Sequence, residues 1–139
     1  MTPTILFVCV HNAGRSQLAA GLAATYAGDT VRVLSAGTEP DAHVSSTVLE
    51  SLAELGIDRT DQVPALITVD LVQRADIVVA LKPGLDLPGD RPVQVWPLPD
   101  PAGWDVEGIR PLRDHLDVRV RALVDELLAN RPERPPRTP

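Results

Sequence analysis

The sequence predicts a three-layer α/β fold, a four-stranded parallel sheet flanked by helices. Three observations point to it. Ile5–Val10 (ILFVCV) and Asp76–Leu81 (DIVVAL) are apolar runs rich in β-branched residues, the pattern of strands buried on both faces. Strand-like and helix-like segments alternate along the chain, as βαβ units do. The 139 residues, 44% hydrophobic and 23% charged, suit one soluble domain.

Each element has its own signal. Ile5–Val10 is the first strand. From Ser16 to Tyr26 the period changes: Leu18, Leu22 and Tyr26 recur every four residues with alanines between them, which predicts a helix. Val31–Ala36 is the second strand, ended by Gly37. Val44, Val48, Leu52 and Leu55 mark a second helix stopped by Gly56. Val69–Arg74 reads as a short third helix, and Asp76–Leu81 is the third strand. Pro92–Trp96 is a short fourth strand, its leading proline suiting a strand entry or an edge. Ile109, Leu112, Leu116, Val120, Leu123 and Leu127 step by three and four, the signature of a long amphipathic helix. On that helix Arg110, Arg113, Arg119 and Arg121 alternate with carboxylates and read as a solvated face. The domain is expected to occupy residues 1–130. Arg131–Pro139, with four prolines and three arginines, reads as a flexible tail.

The net charge is −6, which argues against nucleic-acid and anionic-membrane partners. No apolar run reaches the length of a membrane span, and Met1–Val10 lacks the basic start of a signal peptide. The single cysteine leaves no internal disulfide and no thiolate zinc cluster. His11, His43 and His115 form no local ligand pair, so no metal is expected. Together these features predict a cytoplasmic protein. Any anion it binds must be held by local dipoles and one or two placed arginines. Twelve of its 13 basic residues are arginine.

One segment concentrates such features: Cys9-Val10-His11-Asn12-Ala13-Gly14-Arg15-Ser16. A cysteine ends a buried strand, five residues form a loop, and an arginine opens a helix. Ligands of parallel α/β sheets sit beyond the carboxyl ends of the strands, which is where this loop falls. Successive N–H groups of a tight loop can converge on one anion, and the helix N-terminus adds partial positive charge. Arg15 can hold two oxygens of a tetrahedral oxyanion. A thiol in such a field is expected to ionise readily, which makes Cys9 a nucleophile. Ser16 is placed to donate a hydrogen bond to it. Asn12 and Gly14 suit unusual backbone angles. The backbone of Val10, His11, Asn12, Ala13, Gly14, Arg15 and Ser16 is therefore the expected oxyanion cradle. His11 is given no catalytic role. The plain alternative is an inert core cysteine with an arginine nearby by chance.

This segment resembles the anion-binding loop of the low-molecular-weight protein tyrosine phosphatases and of the arsenate reductases that share their fold, a Cys-x5-Arg followed by Ser. The likeness continues through Ser35-Ala36-Gly37-Thr38, Ala75-Asp76-Ile77-Val78-Val79 and Asp100-Pro101, in the family's order, over most of residues 4–130. It implies a phosphatase-like sheet with Asp100 as the general acid that protonates the leaving oxygen. Asp-Pro is also a common turn dipeptide, and PLPDPAG reads as a loop in any case. Asp105 is a weaker candidate acid, and Trp104 is expected to pack the loop.

Phosphate and arsenate are near-isosteric, so the cradle alone does not separate the two chemistries. The phosphatase branch follows its Asp-Pro with paired tyrosines. Here Asp100-Pro101 is followed by Ala102-Gly103-Trp104, which resembles the reductase branch. Thioredoxin-coupled reductases of the family carry two further cysteines after the third strand, where this chain has Ala80–Asp86 without cysteine. The resemblance therefore implies the single-cysteine arsenate–mycothiol transferase branch. It takes arsenate, with phosphate or sulfate as mimics, uses mycothiol as co-substrate and mycoredoxin as final reductant, and needs no tightly bound cofactor. The alternatives are a tyrosine phosphatase using the same Cys9, Arg15 and Asp100, and a non-catalytic oxyanion-binding protein.

Overall fold

The computed structural model describes residues 2–130. The proposed tail, 131–139, lies outside the described residues. The element order is β1 (Thr4–Cys9), α1 (Arg15–Ala27), β2 (Arg32–Gly37), α2 (Ser46–Ala53), α3 (Val69–Arg74), β3 (Ile77–Ala80), β4 (Val93–Val95) and α4 (Val106–Ala129). Every expected element forms, with ends displaced by a few residues.

The four strands make one parallel sheet in the order β2-β1-β3-β4. All six residues of β1 are buried, as the unbroken apolar run requires. Successive side chains of β1 go to opposite faces. Ile5, Phe7 and Cys9 join the larger core, with α1, α2 and α4. Leu6 and Val8 join the smaller one, with Ile67, Val72 and Ala75 around α3. This is the expected three-layer arrangement, with one face covered by three helices and the other by one. The strand order reverses at β1, whose neighbours β2 and β3 lead to opposite sides. A crevice therefore opens at the carboxyl end of β1, where the chain places Cys9.

Local chemistry explains the element ends. Ser45 caps α2 by accepting from the Val48 N–H, and Thr68 caps α3 by accepting from Leu71. Gly56, at φ 78°, closes α2 with the Ile57 N–H donating to Leu52 O at 3.0 Å, a turn that demands the left-handed region. Asp105 caps α4, its Oδ1 accepting from the Gly108 N–H at 2.7 Å.

Two expectations need correction. Tyr26 is at the surface rather than on a buried stripe, donating to Asp125 at 2.7 Å under the Arg121 guanidinium. Helix α1 is instead buried nearly all round from Arg15 to Ala23, because its alanines let neighbours approach every side. The four arginines of α4 are not one solvated face. Arg113 is buried between α4 and α2, donating to Ser51 O and Glu54, and Arg119 stacks on Trp96 with its guanidinium carbon 4.5 Å from the ring centre. Exposed Arg110 also donates to Glu54.

Candidate active site

Cys9 ends β1 opposite Gly37 of β2, and its side chain is buried. Residues 10–14 turn back over the strand ends, and α1 begins at Arg15. The loop carbonyls are tied down on one side. Cys9 O accepts from Thr38, Val10 O from Glu39, His11 O from Asp41 and Ala13 O from Ser45, at 2.8–3.2 Å. Among the described residues, no N–H of residues 11–16 donates to a protein acceptor. Anchoring the carbonyls outward leaves these amides without protein partners and open to an anion. Gly14, the cap residue of α1, supplies no side-chain acceptor to the first turn, and that turn holds no acidic residue. The helix's positive end is thus uncompensated.

Two features make the turn possible. Asn12 takes φ 51°, the left-handed region that asparagine tolerates. Gly37 lets the loop lie on β2: a Cβ there would sit 2.5 Å from Val10 O and 2.9 Å from Asn12 N. Gly14 differs from expectation, with φ −116°, and a Cβ there would meet only Pro101 at an ordinary 3.6 Å.

A buried polar chain runs from the loop to the thiol. The Ala65 N–H donates to Asn12 Oδ1 at 2.8 Å, which fixes the amide orientation. Asn12 Nδ2 then donates to Ser16 Oγ at 2.7 Å. Because that hydroxyl already accepts, its own proton is free for Cys9 Sγ, 2.9 Å away. The hydroxyl keeps a second lone pair, so Ser16 donates to a thiolate and can accept from a thiol.

Arg15 is buried, and Nη1 donates to Leu98 O at 3.1 Å. No carboxylate pairs with it among the described residues. The same carbonyl belongs to the segment carrying Asp100. Buried Pro101 lies beside Gly14, so Leu98 and Pro101 both meet the start of α1. Asp100 is exposed, with Oδ1 accepting from the Ala102 N–H at 3.0 Å. Asp105 is separated from this chemistry by its work as the α4 cap. Trp104 is partly buried and packs against the larger core, not only the loop. The exposed His11 ring bridges to the rim, with Nδ1 3.1 Å from Glu39 O and 3.4 Å from Asp41. Among the described residues no three His, Cys, Asp or Glu side chains come together as metal ligands.

The sequence reading missed the supports: Gly37, the 38–45 segment, Ala65 and Leu98 O. A signal existed only for Gly37, which closes the Ser35-Ala36-Gly37 run beside the loop.

Comparison with known proteins agrees with this geometry. The low molecular weight phosphotyrosine protein phosphatase family matches residues 4–85, a span that holds the whole cradle. This chain belongs to that family. An arsenate reductase of Bacillus cereus is 36% identical over 124 residues, covering 85% of this chain and 91% of its own. A solved arsenate reductase in its phosphate-binding state superposes with a TM-score of 0.79 at 31% identity, covering 90% of this chain and 98% of that one. A thioredoxin-dependent arsenate reductase of Corynebacterium glutamicum gives 0.77 at 32% identity. There the match covers 94% of this chain but only 63% of the longer one. Among the described residues no helix is long and apolar enough to cross a membrane.

Proposed function

We propose that this family member is an arsenate reductase of the arsenate–mycothiol transferase type, acting in the cytoplasm. The observation that carries the reading is the conjunction at one strand end: a nucleophilic sulfur hydrogen-bonded by Ser16, free amides over residues 11–16, and a buried Arg15 without a carboxylate. Arrangement and charge both suit a tetrahedral oxyanion. The arsenate-reductase relatives favour arsenate over phosphate esters.

The mechanism follows from the groups present. Arsenate docks on the Val10–Ser16 backbone and the Arg15 fork. The Cys9 thiolate attacks arsenic, and one oxygen leaves as water after taking a proton from Asp100. Positive charge held in place over the equatorial oxygens stabilises the transition state. The adduct still holds As(V). Within these 139 residues Cys9 is the one cysteine, so the next thiol comes from outside. Mycothiol attacks the arsenic, forms a new S–As bond and releases the Cys9 thiolate. Mycoredoxin then attacks the mycothiol sulfur. The S–As electron pair stays on arsenic, which leaves as arsenite, and a mixed disulfide remains. No metal or resident cofactor enters any step.

A coupled assay tests this reading, comparing mycothiol plus mycoredoxin, glutathione plus glutaredoxin, and thioredoxin as electron sources for arsenate. Turnover saturating with mycothiol supports it. Full turnover with thioredoxin alone, the reductant named for the Corynebacterium relative, overturns the external-thiol step. The second reading is a phosphotyrosine phosphatase, favoured by the family match over residues 4–85. Rapid aryl phosphate hydrolysis without thiol-dependent arsenate turnover would select it.

A further inference from the structure

The amino end of the sheet carries a second concentration of positive charge, on the side away from Cys9. A cleft of about 410 Å³ opens there between the starts of the strands. It is lined by Arg32, Arg74 and Arg91, with Thr2, Thr4 and Asp76 among them. Thr4 begins β1 and Cys9 ends it, so the cleft lies roughly 16 Å from the thiol along the strand. One cleft thus gathers three of the chain's 13 basic residues, in a protein of net charge −6.

Charge pairing within the cleft is incomplete. Asp76, its one carboxylate, keeps its charge but pairs with none of the three arginines; Oδ2 accepts from the Thr4 N–H at 2.7 Å. Arg91 is held by one neutral bond, Nη2 to Gln73 O at 2.7 Å. Neither Arg32 nor Arg91 has a carboxylate within 4 Å among the described residues. Arg74 pairs with Asp70 at 3.0 Å, but both side chains are largely exposed, where such a pair holds weakly. At least two guanidinium forks are therefore available, set by separate strand entries around one concavity. Forks of this kind match phosphate oxygens two at a time. The cleft falls within the size range of small-molecule sites, and its three cations exceed what one oxyanion requires.

We propose that this cleft binds a diphosphate group, at a site independent of the Cys9 cradle. The ligand is either free diphosphate or one borne on a nucleoside. Arg32 and Arg91 supply its main contacts, and Arg74 exchanges Asp70 for it.

Calorimetric titration with inorganic pyrophosphate and with ADP tests this, using the wild-type chain, Arg15→Ala, and Arg15→Ala carrying Arg32→Gln and Arg91→Gln. Arg15→Ala removes the cradle's own anion fork. Saturable binding should persist in that variant, weaken at least tenfold when Arg32 and Arg91 are also replaced, and weaken between 50 and 200 mM salt. Equal affinity for the two ligands assigns the free group, and tighter ADP binding the nucleoside-borne one. Amide shifts at Thr4, Arg32 and Asp76 on adding pyrophosphate provide a second readout should the triple variant fold poorly. Loss of all binding in Arg15→Ala, or binding indifferent to Arg32 and Arg91, would overturn the proposal.

Discussion

Arg15 and Arg113 are equally buried, each 7% exposed, yet their surroundings differ in kind. Arg113 sits between α4 and α2 with Nη1 on Glu54 at 2.7 Å and on Ser51 O at 3.0 Å, and Nε on Asp114 at 3.0 Å. Its charge is balanced by the protein. Arg15 donates to one neutral carbonyl, that of Leu98, and has no carboxylate. Beside it lie an uncapped helix N-terminus and a loop whose carbonyls are turned away. A buried cation costs solvation, and only a partner offsets that cost. At Arg113 the partner is built in, so the residue holds the fold together. At Arg15 the partner's place is open, which suits the oxyanion role proposed for it. Two arginines of the same burial are told apart by what faces them.

The difference can be broken most sharply at Arg15. Arg15→Lys keeps the charge and loses the fork, and should lower kcat/KM for arsenate about 30-fold, roughly 2 kcal/mol of transition-state binding. Its melting temperature should stay close to wild type, since no ion pair is lost. The converse holds at Arg113. Arg113→Met leaves Ser51 O unpaired and should cost about 1–3 kcal/mol in denaturant unfolding, with kcat/KM unchanged. If Arg113→Met impaired turnover more than stability, the contrast would collapse.

Smaller effects sharpen it. Ser16→Ala removes the one hydroxyl aimed at Cys9, through the chain from Ala65 and Asn12. It should cost roughly tenfold in kcat, the size of one hydrogen bond to a charged group, with arsenate KM little changed. The smallest effect is one of pH. Arg110, and then Arg113, hold the Glu54 carboxyl down to about 2, against 4.5 for the free group. A lowered carboxyl stabilises the fold above the unfolded value and loses that contribution as pH falls from about 4.5 through about 2. Wild type should therefore lose stability faster than Glu54→Gln across that window, in urea titrations at stepped pH. Parallel curves would remove Glu54 from the seam.

The fold and the centre of the site were legible for the same reason. Cys9 and Arg15 lie six residues apart, so strand, loop and helix bring them together without help from distant chain. Asp100 is remote in sequence, and only resemblance pointed to it. The structure brings its neighbours Leu98 and Pro101 onto the loop. The remaining supports were not legible. Leu98 O and the Ala65 N–H are backbone groups, and no side-chain pattern advertises them. Arg113 was misread because its neighbours in sequence are charged, while the groups that bury it, Ser51 and Glu54, lie on another helix. Periodicity reports the face of a helix and is silent about an ion pair formed across a seam.

The central claim is that the Cys9–Ser16 loop is an oxyanion cradle completed by Arg15. Titrating the Cys9→Ser chain with orthophosphate, while following backbone amide shifts, tests it most directly. The largest shifts should fall on residues 10–16, saturate together, and vanish when Arg15→Ala is added. Shifts absent from that loop, or unchanged by loss of Arg15, would contradict the account.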